Sequence, residues 1–159
     1  MWEKADELFA KSIEKAEKSD KSIAAPHILR QWGETFAERS NWDRAEACYQ
    51  NALKLDQTRS AESLAVALNL SRLAMVARSR DVLGTAADNE RRALAVREKL
   101  APGSLAVASS QNSLGAIAVW RGEMAAAVEH LRQSLAIVER LSPGSPYLAS
   151  VLNNLGVIT

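Results

Sequence analysis

Apolar residues fall at helical spacing along most of this chain, and the pattern is clearest between Ser104 and Ile137. Leu105, Ala108, Leu114, Ile117 and Ala118 precede the breaker Arg121-Gly122. Met124, Ala127, Val128, Leu131, Leu135 and Val138 follow it, at spacings of three and four. A stripe at that spacing occupies one face of an α-helix. Two stripes joined at a glycine predict an antiparallel helical hairpin.

The hairpin recurs. Leu114-Gly115 returns as Leu155-Gly156, a shift of 41, and the same step backwards reaches Leu73-Ala74 and then Trp32-Gly33. At that shift Leu141 to Ser145 matches Leu100 to Ser104, each segment ending in Pro-Gly-Ser. Ala106-Val107-Ala108 matches Ala65-Val66-Ala67, and Leu135 matches Leu94 and Leu53. At a shift of 40, Trp2 to Phe9 aligns with Trp42 to Tyr49, and Ile13 with Leu53. The register predicts a second half-hairpin at 1–20, full hairpins at about 25–62, 63–103 and 104–144, and a first half-hairpin at 145–159. That is about eight helices in one all-α domain over 1–159. A hairpin of this kind leaves an apolar face that only the next repeat covers, so the expected fold is an α-solenoid.

Local signals agree with the register. Ala5, Leu8, Phe9, Ile13 and Ala16 share one face of an expected helix at 2–18, followed by a charged segment from Lys15 to Lys21. Pro26 suits a first helical turn, where its missing N–H costs nothing. Ser40-Asn41 reads as a turn, and Gly84 lies near the next one. Pro102-Gly103 and Pro143-Gly144 stop helices, leaving Ser104 and Ser145 as N-caps.

Composition narrows the class of function. Hydrophobic residues at 47% and charged residues at 25% suit a globular chain, and aromatics at 5% point to helices packed through small side chains. The formal net charge is +1, so no whole-chain field recruits nucleic acid or an anionic membrane. Arg78-Ser79-Arg80 and Arg91-Arg92 are short basic patches with acids beside them. The single cysteine, Cys48, excludes an internal disulfide. No apolar run has the length of a membrane span, and the start lacks the pattern of a signal peptide, so the expected location is cytoplasmic.

Nothing in the motifs carries catalysis. His27 and His130 are the two histidines, and neither stands in a metal-ligand spacing. His130 reads as a solvated helix-surface residue and Cys48 as a small packing residue without a basic partner. The glycines mark hairpin positions and build no phosphate loop. Carboxylates on such helices usually form solvated faces and i,i+4 pairs, and no carboxylate pair stands out from that background. The expectation is no enzyme, no cofactor and no metal.

With these residues in view, the chain resembles the tetratricopeptide repeat family over nearly its whole length. Trp32-Gly33, Leu114-Gly115 and Leu155-Gly156 stand at that family's Leu-Gly step, with Ala74 in the second full copy. Ala45, Ala86 and Ala127 match its small packing position, Tyr49 and Leu131 its large one, and Ala52, Ala93 and Ser134 its later small one. The period of 41 is longer than the family's usual unit, and Glu90 replaces the large apolar residue. The long period and Leu152-Asn153-Asn154-Leu155-Gly156 look most like kinesin light chain repeats. The resemblance implies a right-handed superhelix whose first helices line a concave groove.

It also implies which side chains face that groove. They are His27, Arg30, Gln31, Glu34 and Glu38; then Leu68, Ser71, Arg72, Met75 and Arg78. Ser109, Asn112, Ser113, Ala116, Val119 and Trp120 follow, with Ser150, Asn153 and Asn154 on the last helix. From these, Arg30, Glu34, Arg72, Met75, Arg78, Asn112, Trp120 and Asn153 form the candidate binding set. Asparagine amides hold an extended peptide by its backbone, and arginines grip carboxylates with paired donors. Met75 and Trp120 offer apolar contacts, whereas Trp2, Trp32 and Trp42 sit at repeat-signature positions and read as core. The implied function is non-catalytic binding of a peptide or partner protein. The alternatives are a homo-oligomer built through exposed end helices, or the sensor arm of a larger signalling protein. A half-hairpin at each end suggests a fragment of a longer array, or ends that associate.

Overall fold

Seven helices make up the computed structural model over the residues it describes, which are 25–156 together with Lys11 and Ile158. They are α1 (Ala25–Glu38), α2 (Trp42–Arg59), α3 (Leu64–Ser79), α4 (Leu83–Leu100), α5 (Leu105–Trp120), α6 (Met124–Leu141) and α7 (Pro146–Gly156). The helix expected at 2–18, and Trp2 with it, lies outside the described residues. The helix starts at 42, 83 and 124, and the ends at 59, 100 and 141, repeat the shift of 41 found in the sequence. The three second helices are 18 residues each.

Each hairpin turn closes in the same way. The N–H groups of Asn41, Val82 and Glu123 donate to the carbonyls of Phe36, Ala77 and Ala118, all at 2.9 Å. Those of Ser40, Asp81 and Gly122 donate to Ala37, Arg78 and Val119 at 2.9–3.0 Å. This pair of bonds is the Schellman arrangement, which satisfies carbonyls left over at a helix end. It needs a left-handed residue at its centre, and Ser40, Asp81 and Gly122 have φ of 56°, 61° and 76°. Only Gly122 adopts that conformation without a Cβ penalty. At the helix starts, Ser63 and Ser104 accept from the N–H groups of Val66 and Val107 in α3 and α5, and Ser145 Oγ accepts from Leu148 N–H.

The chain divides into two compact units, Met1–Ala61 and Glu62–Thr159. In the first, α1 packs on α2. Tyr49 is fully buried with its ring against Gly33, where a Cβ would stand 2.5 Å from Cε1. Trp32 and Phe36 lie with ring centroids 6.0 Å apart, and the Arg44 guanidinium sits 5.5 Å from the Phe36 centroid. Trp32 and Trp42 are half-buried. Arg30 Nη1 donates to Asp56 Oδ2 at 2.6 Å, joining the two helices.

In the second unit α3 pairs with α4, α5 with α6, and α7 lies against α6. Ala77, Ala86, Ala87 and Ile117 form one cluster, in which alanines let α3, α4 and α5 approach closely. Ala108, Val138 and Val151 form another between α5, α6 and α7. Gly115 faces Leu131 as Gly33 faces Tyr49, and a Cβ at Gly115 would fall 2.6 Å from Leu131 Cγ. The small residue on the first helix therefore makes room for the large one on the second. Two sequence expectations are corrected. Carboxylates do not all lie on solvated faces, since Asp56 and Glu90 are buried. His130 is half-buried, not solvated, and its Nδ1 lies 2.7 Å from Gln111 Oε1, an oxygen that can only accept.

Candidate binding pocket

The repeat columns explain where a site opens. Residues 49, 90 and 131 share one column, and there Tyr, Glu and Leu follow one another. Tyr49 and Leu131 fill the space against their glycines, but Glu90 is unbranched and polar and stands opposite Ala74. A cavity of about 300 Å³ lies at this place in the second unit. Its walls are Leu68, Ser71, Arg72, Ala74, Met75 and Arg78 from α3, and Ser109, Ser113 and Ile117 from α5. Glu90 and Arg97 from α4 complete it.

Glu90 is only 2% exposed, and a buried charge needs partners. Its Oε1 accepts from Ser71 Oγ at 2.9 Å and from Arg97 Nη1 at 3.4 Å. Arg97, itself buried, donates from the same nitrogen to Ser110 Oγ at 2.5 Å and to the Ala106 carbonyl at 3.4 Å. The network ties α3 and α4 to α5. Burial pushes the Glu90 carboxyl above the usual carboxylate range, against the opposing pull of the Ser110 and Ser71 hydroxyls and of Arg97 and Arg78. Burial also lowers Arg97, with Glu90 as the main opposing influence. The Tyr147 hydroxyl is buried near Ser109 and Ser134 without reaching hydrogen-bond geometry, and burial raises its pKa.

Of the candidate binding set, the structure brings Arg72, Met75 and Arg78 together in this cavity. Arg72 and Met75 are half-buried and Arg78 is exposed. Asn112 is half-buried on α5, and its Oδ1 accepts from Asn154 Nδ2 at 2.9 Å, so it links α5 to α7. Asn153 is exposed on α7, and Trp120 is 71% exposed at the end of α5. Arg30 and Glu34 belong to the first unit, where Arg30 is engaged by Asp56. Sequence reading passed over Arg97 as a site residue and noted Glu90 only as a departure. The missed signal was a second column: residues 56, 97 and 138 read Asp, Arg and Val, so charges stand at a core position twice.

One carboxylate and three guanidinium groups thus border a cavity with apolar walls on Leu68, Met75 and Ile117. With Glu90 ionised the excess is two positive charges. Among the described residues no cluster of histidine, cysteine, aspartate or glutamate is arranged to hold a metal ion. Nor is any described helix long and apolar enough to cross a membrane.

Comparison with known proteins places the framework. Residues 106–159 match the family model described as "Tetratricopeptide repeat". The all-α fold of the chain is similar to the crystal structure of BtubC (BKLC) from P. vanneervenii, with a TM-score of 0.84 at 25% sequence identity. The match covers 98% of this chain and 64% of that one, so the chain spans less than two thirds of that neighbour's length. No curated protein matches the sequence. Tetratricopeptide repeats generally mediate protein–protein interaction, and the fold is typically non-catalytic.

Proposed function

We propose that this chain is a non-catalytic protein–protein interaction module whose α3–α5 pocket receives an acidic side chain from an extended segment of its partner. The observation that supports this is the convergence of Arg72, Arg78 and Arg97 around one cavity against the single carboxylate of Glu90. Guanidinium groups bind carboxylates through paired, charge-assisted hydrogen bonds, and apolar walls strengthen such contacts by excluding water. Met75 and Leu68 would cover the methylene stem of the entering residue. Asn112 and Asn153 stand in the column of Ser71, one and two repeats on, where their amides would hold the partner's backbone. Trp120 would offer an exposed ring beyond them.

The near-neutral charge of the chain favours a protein segment over nucleic acid as partner. The test is an array of immobilised peptides in which each acidic sequence has a twin with amides in place of carboxylates. Binding of the acidic members alone, weakened by salt and lost with Arg78→Glu, is the expected result. Equal binding of both twins, or binding indifferent to Arg78→Glu, would contradict the reading.

A further inference from the structure

The pocket holds one group at odds with an acidic ligand, the buried carboxylate of Glu90. An entering carboxylate that reaches Arg72 and Arg78 meets the like charge of Glu90 in the same cavity. Glu90 cannot turn away, because Ser71 and Arg97 hold its Oε1 and helix packing leaves it 2% exposed. Two carboxylates held at one site relieve their repulsion by binding a proton. Resting on the pocket reading above, we propose that Glu90 takes up a proton when an acidic side chain enters, so that the pocket holds its ligand more tightly as pH falls.

The surroundings of Glu90 favour this exchange. The charges acting on it are Arg97 from its own helix and Arg78 from α3, with Arg72 of α3 lining the same cavity; Tyr147 on α7 interacts with it more weakly. Ser71 on α3 and Ser110 on α5 contribute neutral hydroxyls. Protonation leaves Arg97 its bonds to Ser110 and to the Ala106 carbonyl, so that guanidinium is not stranded. Loss of the Glu90 charge then raises the pocket's attraction for an anion. Burial has already moved Glu90 toward the protonated form. A ligand that raises the pKa of a group binds with proton uptake, and its affinity falls as pH rises above the free-state value. A single-charge carboxylate suits this site better than a phosphate dianion, which would add a second like charge opposite Glu90.

The test uses the full chain with N-acetylglutamate amide as probe, followed by NMR at the amides of Ser71, Ala74 and Met75 from about pH 5.5 to about pH 8. Over that range the probe is ionised throughout and contributes no slope. The native chain should bind more tightly toward low pH, by up to about tenfold per pH unit, the limit for one proton. Glu90→Gln keeps an acceptor for Ser71 and should bind with no pH slope, and more tightly than the native chain at the alkaline end. His130 is the titratable histidine of this unit, its pKa lowered by burial, so His130→Gln must retain the slope. Equal native and variant helicity and melting qualify the comparison. Native binding without a slope, a slope that survives Glu90→Gln, or one that His130→Gln abolishes would overturn the proton coupling while leaving the pocket reading intact. No response of the pocket amides at any pH would overturn the pocket reading itself, and this inference with it.

Discussion

Gly115→Ala tests the packing rule on which the repeat depends. A Cβ built at Gly115 stands 2.6 Å from Leu131 Cγ, 2.9 Å from its Cδ2 and 3.4 Å from the Ala127 carbonyl oxygen. The first two distances lie well inside van der Waals contact, and Leu131 is fully buried, so it has nowhere to retreat. Overpacking of this kind costs about 1–3 kcal/mol. Against it stands the helix preference for alanine over glycine, worth about 1 kcal/mol. The net expectation is a loss of up to about 2 kcal/mol. The Leu131→Ala background discriminates the cause. That change alone should cost about 2–5 kcal/mol through the cavity it leaves. Within it the clash is gone, and Gly115→Ala should stabilise by about 1 kcal/mol. The coupling between the two sites is then about 1–3 kcal/mol, measurable by urea denaturation followed by circular dichroism, provided the m-values agree. If Gly115→Ala shifts stability equally in both backgrounds, close approach of α5 to α6 is not the reason for the glycine.

Two further predictions rest on other parts of the fold. Ser40 and Gly122 occupy equivalent left-handed positions, so Ser40→Gly should raise stability by several tenths of a kcal/mol while Gly122→Ala lowers it by about 1–2 kcal/mol; equal effects of the same sign would refute the turn assignment. Burial, aided by Arg91, lowers the His130 pKa, so the native state resists a proton that the unfolded chain accepts. Stability should therefore fall as pH drops through the ordinary histidine range, and the slope of Tm against pH should flatten in His130→Gln; an unchanged slope would contradict the assignment.

Much of the fold could be read from the chain because each hairpin writes the same constraints into the same columns. Gly33 and Gly115 must be small since Tyr49 and Leu131 lie against them. The Pro-Gly-Ser segments ending at Ser104 and Ser145 end one helix and cap the next. The pocket was less legible, because it arises where a column breaks its rule. Glu90 could be seen to depart from Tyr49 and Leu131, yet its burial depends on Ser71, 19 residues away, and on Arg97. Periodicity assigns a residue to a face but does not pair it across helices. His130 shows the same limit: its helix position looked solvated, and only the approach of Gln111 from α5 covers it. The arginines at 72 and 78 were placed by the family's groove pattern, which names a side of the helix without saying that a cavity lies there.

Under the proposed function, partner proteins are held on the first-helix side of the second unit, at the α3–α5 pocket. Its most direct measurement is site-specific photo-crosslinking in cell lysate, with a photoreactive residue placed at Met75 or at the exposed second-helix position Gln133. A discrete protein adduct is expected from the Met75 position, lost when Arg78→Glu is added, and none from Gln133. Adducts from Gln133 with none from Met75, or a Met75 adduct indifferent to Arg78→Glu, would contradict it.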